Sequence, residues 1–381
     1  MRSSIHLHKH PKSIQRATAF GVILLGGLVL ASSTAAAQDP DRDDDLAILP
    51  PPAPVVASTV PSNGDQNPYG VVFVGKNFPA GGKVKAGDVL VSNFNNSVAD
   101  GNQQGTGRTI VSITPSGTLT TFFQGGSGLG LTTALGLLKA GLVVVGNLPT
   151  TNGACATATA GSLLVIDKNG NQLQQLSDST LLNGPWDMAV NDEGSRAQLF
   201  VSDVFSGEVV RVNVFVSSSG LTVESITRIA SGYLHRCDPV ALVVGPTGLV
   251  YDAKKDVLYV ASTEDNAVYS IAGAKCTNRD EGRGTLVYKD DAHLHGPLGM
   301  VMTPTGHLIV SNSDVINPDP NQPSELVEFT VQGKFVAELS LDPNFGGAFG
   351  LAFAAPHGDS VRFAAVDDNV PNITIWTLRL P

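Results

Sequence analysis

A short motif recurs six times along this chain of 381 residues, and its spacing limits the possible folds more than any other feature. The six copies are "NPYGVVFV", "TALGLL", "GPWDMAV", "GPTGLVY", "GPLGMVM" and "GAFGLAF". Their aligned turn residues, 66, 51, 61, 51 and 51 positions apart, are Gly70, Gly136, Asp187, Gly248, Gly299 and Gly350. Self-similarity with a period near fifty indicates a repeat protein in which each repeat is one structural unit.

Each repeat contains further strand-forming segments after the motif. Second segments such as "LYVAS" and "LFVSD" and third segments such as "NAVYSI" follow, and a fourth is readable in most copies. The segments are short, rich in Val, Ile, Leu and Thr, and separated by Gly, Asn, Asp and Pro, as is typical of strands. This pattern predicts an all-β fold, a six-bladed β-propeller with four-stranded antiparallel blades.

The sixth repeat is one strand short, since Pro381 comes directly after the third segment "NITIWTLRL". The segment "PVVASTV" (54–60) precedes the first repeat and belongs to no other blade. We therefore predict that this N-terminal strand completes the last blade and closes the ring, which would remove open strand edges. The propeller is expected to span residues 52–381.

Residues 1–37 have the pattern of a secretory signal peptide. Basic residues precede the apolar run "ATAFGVILLGGLVLA", and the small residues that follow predict cleavage between Ala37 and Gln38. The run is shorter than the ~20 residues that cross a bilayer, so no transmembrane segment is expected in the mature chain. Residues 38–51 are acidic and then Pro-rich, which predicts an extended tether. We expect an exported protein, periplasmic or extracellular.

The charge of the chain excludes one class of partner. The formal net charge is −10, and removing residues 1–37 with their four basic groups takes it to −14. Nucleic acids and anionic membrane surfaces bind clusters of Lys and Arg, which this sequence lacks. We therefore expect no nucleic-acid partner.

The repeats resemble NHL repeats and, more widely, the six-bladed propellers of the gluconolactonase and regucalcin group. The resemblance rests on the "GPxG" sequence before the first strand of a repeat, on the second strands quoted above and on "TEDNAVYSI". It implies a metal at the channel mouth that polarises a lactone carbonyl and activates water. The third repeat is similar to the opening repeat of that group, but Asn183 replaces the metal-binding acidic residue.

In a propeller, the loops that lead into the inner strands and those that leave the second strands lie on one face, here called the channel face. The last polar residues of the second strands are Asn93, Asn147, Asp203, Ser262, Asn312 and Asp367. These side chains either cap the amides of their own turns or hold Ca²⁺ or another divalent cation. In the second interpretation the metal ligands are Asp203, Asn312 and Asp367. The other candidate ligand-binding residues on this face are Asn93, Asn147, Asn183, Trp186, Asp187, His235 and His295.

Two further catalytic chemistries find little support. A metal site built from histidines needs three that converge, and only His235 and His295 are expected on the channel face. Nucleophilic hydrolysis usually needs a strand-to-helix elbow of the "GxSxG" type, which the sequence lacks.

The three Cys residues of the chain leave one unpaired if a disulfide forms. By the repeat register, Cys155 and Cys237 lie on the channel face one blade apart, whereas Cys276 lies on the opposite face. We favour a Cys155–Cys237 disulfide with Cys276 free, and the alternative is no bridge.

The longest loops fall on the channel face, at residues 94–108, 148–160, 230–246 and 313–323. They are polar and poor in Lys, and a rigid scaffold carries its specificity in such loops. We therefore expect a ligand- or protein-binding module that takes a small molecule, a sugar, a peptide or a protein partner through these loops. The alternative is a divalent-metal-dependent hydrolase, lactonase-like, or a lyase, with its site at the channel mouth.

Overall fold

The computed structural model describes residues 46–49 and 51–380. The predicted signal peptide and residues 38–45 of the predicted tether lie outside them. Within the described residues, strand β1 (Val55–Ser58) is followed by blade 1, whose strands are β2 (Gln66–Phe73), β3 (Val89–Asn95), β4 (Gln104–Ile113) and β5 (Leu119–Gln124). Blade 2 contains β6 (Leu131–Leu138), β7 (Leu142–Asn147), β8 (Ser162–Asp167) and β9 (Gln172–Leu176). Blade 3 contains β10 (Pro185–Asp192), β11 (Arg196–Asp203), β12 (Glu208–Ser217) and β13 (Gly220–Ser231).

A two-stranded hairpin, β14 (Arg236–Asp238) and β15 (Leu242–Val244), separates blades 3 and 4. Blade 4 contains β16 (Pro246–Asp252), β17 (Val257–Ser262), β18 (Ala267–Ala272) and β19 (Thr285–Tyr288). Blade 5 contains β20 (Pro297–Met302), β21 (Leu308–Asn312), β22 (Glu325–Phe329) and β23 (Phe335–Ser340). Blade 6 contains β24 (Ala348–Phe353), β25 (Ser360–Asp367) and β26 (Asn372–Arg379). Two short 3₁₀ helices, Val98–Asp100 and Cys155–Thr157, lie in loops.

The fold is the predicted six-bladed β-propeller, with six four-stranded antiparallel sheets. In blade 6 the fourth strand is β1, which pairs antiparallel with β26 so that Val55 is opposite Ile375 and Ser58 is opposite Asn372. The predicted pairing of residues 54–60 with the last blade is therefore present. No helix among the described residues is long and apolar enough to cross a membrane.

The motif glycines lie where the inner strands of neighbouring blades nearly touch. A Cβ on Gly248 would overlap the carbonyl oxygen of Leu298 in blade 5, and one on Gly350 would overlap that of Tyr69 in blade 1. Glycine recurs because no side chain fits at these contacts. In blade 3 the equivalent residue is Asp187, and its Oδ2 instead accepts a hydrogen bond from Leu249 N of blade 4 (3.0 Å).

A buried serine in the second strand ties three of the blades to the next one. Ser202 Oγ accepts from Asp187 N of its own blade (3.0 Å) and donates to Thr247 O of blade 4 (2.8 Å). Ser92 and Ser311 make the equivalent bonds towards blades 2 and 6. The "VSN" and "VSD" endings of the second strands thus serve blade-to-blade attachment.

Apolar clusters fill the spaces between neighbouring blades. Val165 and Leu199 belong to one cluster between blades 2 and 3, and Val91 and Val366 belong to another that joins blades 1 and 6. Removing such side chains from water, at about 25 cal/mol per Å² of apolar area, is the main stabilisation of the ring.

The described end of the predicted tether contacts the propeller. Leu49 is buried in the cluster between blades 5 and 6. The backbone N–H groups of Ile48 and Leu49 donate to Oε2 of the buried Glu328, at 2.8 and 3.1 Å. This part of the segment is therefore bound and not free.

Candidate ligand-binding site at the channel mouth

The hairpin β14–β15 covers the channel mouth. It forms because the apolar run "VALVV" follows the turn at Asp238, whose Oδ1 accepts from Val240 N and Ala241 N (2.8 and 2.9 Å). Leu242 and Val243 are buried in the cluster that contains the inner strands at this end of the channel. Leu242 has φ of 64°, a left-handed conformation that is unusual for a branched residue.

A disulfide fixes the hairpin to the neighbouring loop. Cys237 of β14 is bonded to Cys155 in the loop that leaves β7, with a Cα–Cα distance of 5.8 Å. This is the pairing predicted from the repeat register, and Cys276 is free and exposed, as predicted. The bridge ties the covering hairpin to blade 2 across the channel face.

Aromatic rings fill the channel beneath the hairpin. Tyr69 lies with its ring centroid 4.5 Å from Phe349, 4.7 Å from Phe94 and 5.6 Å from Trp186. Tilted and edge-on ring pairs at such distances contribute about 0.5–1.5 kcal/mol each beyond their burial. The upper end of the channel is therefore closed by side chains rather than open to a polar ring.

A cavity of about 170 Å³, here called the mouth cavity, remains between the hairpin and the blades. The lining residues used below are Asn67, Tyr69, Trp186, Val243, Phe349 and Asp368. Its rim carries two exposed apolar side chains, Val240 at the hairpin tip (78 % exposed) and Phe345 in the loop before β24 (48 %).

Two polar atoms at this cavity lack partners in the described part of the chain. Trp186 is 1 % exposed and its Nε1–H makes no hydrogen bond. Gln104 also lines the cavity; its Nε2 donates to Val240 O (2.6 Å), whereas its Oε1 is buried and unpartnered. Leaving such groups unpaired costs about 1–3 kcal/mol each, so they mark a place where a ligand with a donor and an acceptor gains affinity.

The carboxyl of Asp368 forms part of the cavity wall. Burial, and secondly the charge of the adjacent Asp367, raises the pKa of Asp368 to about 7. Burial, followed by the charge of Asp368, also raises the pKa of Tyr69 well above its ordinary value. Asp368 therefore changes its charge within the neutral pH range while it faces the cavity.

The strand-end residues cap their own turns. Oδ2 of Asp203 accepts from Asn183 N and Gly184 N (2.7 and 3.0 Å), and its Oδ1 accepts from Phe205 N and Ser206 N (3.1 and 3.3 Å). Oδ1 of Asp367 accepts from Val370 N (3.2 Å). These bonds to backbone amides are of the kind expected in the first of the two sequence interpretations.

The amides at the strand ends are engaged in the same way. Asn147 accepts from Gly130 N (2.8 Å) and donates to Ser162 Oγ (3.1 Å). Asn93 donates to Thr59 O (3.0 Å). Both side chains are buried, and both oxygen and nitrogen of Asn147 are bonded to protein, whereas Oδ1 of Asn93 has no partner.

The two candidate histidines have different environments. His295 is buried; its backbone N–H donates to Asn312 Oδ1 (3.1 Å), and its Nδ1 is hydrogen-bonded to Asn317 O. His235 is exposed at the base of the hairpin, with Nδ1 hydrogen-bonded to Tyr233 O (3.1 Å).

These contacts decide whether the predicted ligands can hold a divalent metal ion. Asp203, Asn312 and Asp367 come from blades 3, 5 and 6, and each bonds the backbone of a nearby loop. No three His, Cys, Asp or Glu side chains of the described residues are placed to hold an ion together. The residues present do not fit a divalent cation at this ring.

The sequence patterns did not indicate a buried glutamate in blade 5. Glu325 is 1 % exposed; its Oε2 accepts from Asn312 Nδ2 (3.1 Å), while its Oε1 has no partner and lies 3.9 Å from His295 Nε2. Burial is the main cause that raises its pKa to about 7. The available signal was the glutamate that opens the strand "ELVEF".

The opposite end of the channel contains a second cavity, of about 440 Å³, lined mostly by apolar side chains of the inner strands. Asp187 is placed here and not at the channel mouth. Its Oδ1 accepts from Met188 N (2.7 Å) and its Oδ2 from Leu249 N. Desolvation raises its pKa to about 7, although the side chain is half-exposed to the channel.

No model of a known protein family matches the sequence, and no curated protein matches it. Solved structures match the fold. The calcium-binding protein regucalcin from Agrobacterium tumefaciens is 11 % identical with a TM-score of 0.50, over 85 % of this chain and 95 % of that one. A protein described as a gluconolactonase is 14 % identical with a TM-score of 0.49, over 90 % and 98 %. A luciferin-regenerating enzyme is 12 % identical with a TM-score of 0.47, over 86 % and 95 %. At this identity the likeness to the regucalcin structure shows the fold alone.

Proposed function

We propose that this protein is an exported binding module that recognises a peptide or protein partner through its channel face. The observation that carries the proposal is the mouth cavity, a small pocket with an unpaired donor and an unpaired acceptor beneath an apolar rim. Ligand pockets for drug-sized molecules usually measure about 300–1,000 Å³. The mouth cavity is smaller, so its occupant is one anchoring side chain of a larger partner.

Apolar side chains exposed on the channel face, two of which line the cavity, support a protein-sized partner. Five of them lie in channel-face loops, namely Val98, Leu234, Val240, Phe345 and Val370. Exposed apolar surface beside a pocket is a common property of protein-binding sites, in which a few anchors contribute most of the affinity. The bridge between Cys155 and Cys237 holds one wall of this surface before binding, which lowers the ordering cost of association.

The disulfide also supports export. Such bridges persist in oxidising compartments such as the periplasm and the extracellular space, and are rare in the cytosol. The signal-peptide pattern of residues 1–37 points the same way.

The lactonase-like alternative has weaker support. It rests on the repeat resemblance and on a shared fold, and one propeller scaffold carries many functions. The chemistry needs ligands that converge on a metal, whereas Asp203 and Asp367 bond backbone N–H groups of the loops beside them. The mouth, where such a site would lie, is filled by Tyr69, Trp186 and Phe349.

A peptide selection tests the binding proposal. A random peptide library displayed on phage is selected on the immobilised mature protein and on Val240→Asp, with Val223→Asp on the outer strand β13 as the matched control. We expect enriched peptides that share one anchor residue, bind wild type and Val223→Asp, and lose at least tenfold in affinity on Val240→Asp. Peptides that bind all three proteins equally would place the interaction elsewhere and contradict the proposal.

A further inference from the structure

We propose that the mouth cavity takes an alkylammonium group, such as the end of a lysine side chain, in exchange for a proton held between Asp368 and Asn67. This inference rests on the binding function proposed above and specifies the chemistry of the anchor.

Asparagine side chains form a chain of hydrogen bonds that ends at Asp368. Asn95 Nδ2 donates to the backbone carbonyl of Asn102 (3.3 Å) and to its Oδ1 (2.8 Å). The carbonyl can only accept, so it fixes the orientation of the Asn95 amide. Oδ1 of Asn95 then accepts from Asn67 Nδ2 (3.0 Å). With the Asn95 amide in this orientation, the oxygen of the Asn67 amide faces Asp368.

Two acceptors meet at the end of this chain. The Asn67 side-chain atom that faces Asp368 lies 2.7 Å from Oδ1 and 3.2 Å from Oδ2. Turning the Asn67 amide would satisfy this contact, but it would put its oxygen 3.0 Å from Asn95 Oδ1. A carboxylic acid at Asp368 that donates to Asn67 satisfies every member of the chain.

The charges around Asp368 favour a cation over a permanent proton. Asp367 and Tyr69 are the titratable groups that interact with it, and neither brings a positive charge. The pKa of Asp367 is itself raised to about 6, mainly by burial and also by the neighbouring Asp342. A cation in the cavity would lower the free energy of both carboxylates.

Further carboxylates of blades 5 and 6 lie on the same face, and the basic side chain beside them is His295, whose Nε2 lies 3.9 Å from Glu325 Oε1. Oδ1 of the buried Asp314 and Oε1 of the buried Glu325 have no hydrogen bond. The Lys and Arg residues of the described part of these two blades, residues 290–380, all lie towards the opposite face. They are Lys334 in the turn after β22, Arg362 near the start of β25 and Arg379 at the end of β26.

The cavity wall also suits the carbon chain and the head of such a ligand. Tyr69, Trp186 and Phe349 line it, and an ammonium group within about 6 Å of an aromatic face is attracted by the ring electrons. The exposed Val240 and Phe345 at the rim can contact the methylene groups or the backbone of the ligand.

The exchange balances in charge and atoms. The incoming R–NH₃⁺ keeps its three protons, Asp368 gives its proton to solvent, and the carboxylate and ammonium form an ion pair. Asp368 has a pKa of about 7, so the carboxylate fraction, and with it the apparent affinity, rises about tenfold between pH 6 and pH 8.

Calorimetry with two matched probes tests the proposal. Nα-acetyl-lysine amide and the uncharged Nα-acetyl-norleucine amide are titrated into the mature protein at pH 6 and pH 8, in two buffers of different ionisation enthalpy. We expect only the lysine probe to bind, about tenfold more tightly at pH 8, with close to one proton released per ligand at pH 6. n-Butylammonium serves as a free amine; weaker binding than the lysine probe assigns the site to a side chain, and equal binding assigns it to a free amine.

Two variants complete the test. Asp368→Asn keeps the donor to Asn67 and removes the charge, so it should fold normally and lose the lysine preference and its pH dependence. Asp359→Asn changes an exposed carboxylate of the same blade on the opposite face and should bind as wild type. Equal binding of both probes, or unchanged lysine binding by Asp368→Asn, would overturn the ammonium assignment and leave the peptide-selection result standing. Stabilisation by Ca²⁺ that Asp368→Asn abolishes would also overturn it, in favour of an inorganic cation.

Discussion

The two ends of the central channel are built from the same six inner strands, yet they differ in what their polar groups do. At the opposite end Asp187 gives both carboxylate oxygens to backbone N–H groups of Met188 and Leu249. At the mouth Asp368 lies against the side-chain amide of Asn67 and lines a cavity. Both carboxyls have a pKa of about 7, and burial is the main cause for each.

A carboxyl with a raised pKa does not by itself identify a binding site. Asp187 replaces a motif glycine and joins blade 3 to blade 4, so its environment is explained by structure. The surroundings of Asp368 include unpaired polar atoms, an apolar rim and a covering hairpin, which the fold alone does not require. The binding function is therefore assigned to the mouth.

The largest expected effect concerns the disulfide that holds the hairpin over the mouth. Replacing Cys155 and Cys237 by Ser removes a bridge across 82 positions, which should lower the free energy of unfolding by about 4 kcal/mol. Urea denaturation measures the loss, with Cys276→Ser as the control. An unchanged unfolding midpoint would show that the hairpin does not depend on the bridge.

The next effect separates the two aspartates. Asp187→Ala leaves the N–H groups of Met188 and Leu249 buried and unpaired, so we expect a loss of about 2–4 kcal/mol. Asp187→Asn keeps one acceptor and should lose less than half as much in the same denaturation experiment. Peptide binding at the mouth should not change in Asp187→Asn; loss of binding would mean that the two ends act as one site.

The stability of the protein should depend on pH through the carboxyls whose pKa is raised. A carboxyl whose pKa is higher in the folded state binds more protons when folded, so it stabilises the fold at low pH and loses this effect as the pH rises through the folded pKa. The groups concerned are Asp187, Glu325 and Asp368, with pKa values of about 7, and Asp367, with a pKa of about 6. We expect the melting temperature to fall between pH 5 and pH 8. A melting temperature that rises over this range would contradict the assignment.

The Asp368→Asn variant isolates the contribution of the mouth. Its amide donates to Asn67 at every pH, as the carboxylic acid does only when protonated, so the variant should be more stable than wild type at pH 8 and about equal at pH 5. Thermal unfolding at both pH values measures the difference. A variant less stable than wild type at pH 8 would mean that the carboxylate, and not the acid, fits the hydrogen-bond chain.

The smallest expected effect on stability is at the rim. Val240 is 78 % exposed, so Val240→Asp should change the free energy of unfolding by less than about 0.5 kcal/mol while it weakens peptide binding at least tenfold. Thermal unfolding and binding are compared on the same preparation. A large loss of stability would make the binding defect uninformative about the rim.

The fold could be predicted from sequence because it is repeated. Each repeat presents glycine where neighbouring inner strands touch, as at Gly248 and Gly350, and the spacing of these residues gives the number of blades. The pairing of residues 54–60 and the Cys155–Cys237 bridge followed from the same register.

The candidate site could be predicted only in part. The polar strand ends indicated the face on which the site is proposed, but a sequence does not show whether Asp203 points into a channel or back to the loops beside it. The hairpin β14–β15 lies within residues 230–246, which the sequence analysis predicts to be a loop. The apolar run "VALVV" is the one feature there that is typical of a strand. Asp368 and Glu325 were missed because their importance depends on burial, which is set by neighbouring blades.

Fluorescence of Trp186 is the most direct test that the mouth cavity is the binding site. The chain has two Trp residues, and Trp376→Phe leaves Trp186, in the cavity wall, as the only tryptophan. The strongest peptide from the selection is titrated into this variant, with calorimetry in parallel. We expect a saturable change in emission with the same dissociation constant as the calorimetric one. Calorimetric binding with no change in Trp186 emission would place the partner outside the mouth cavity and contradict the proposed function.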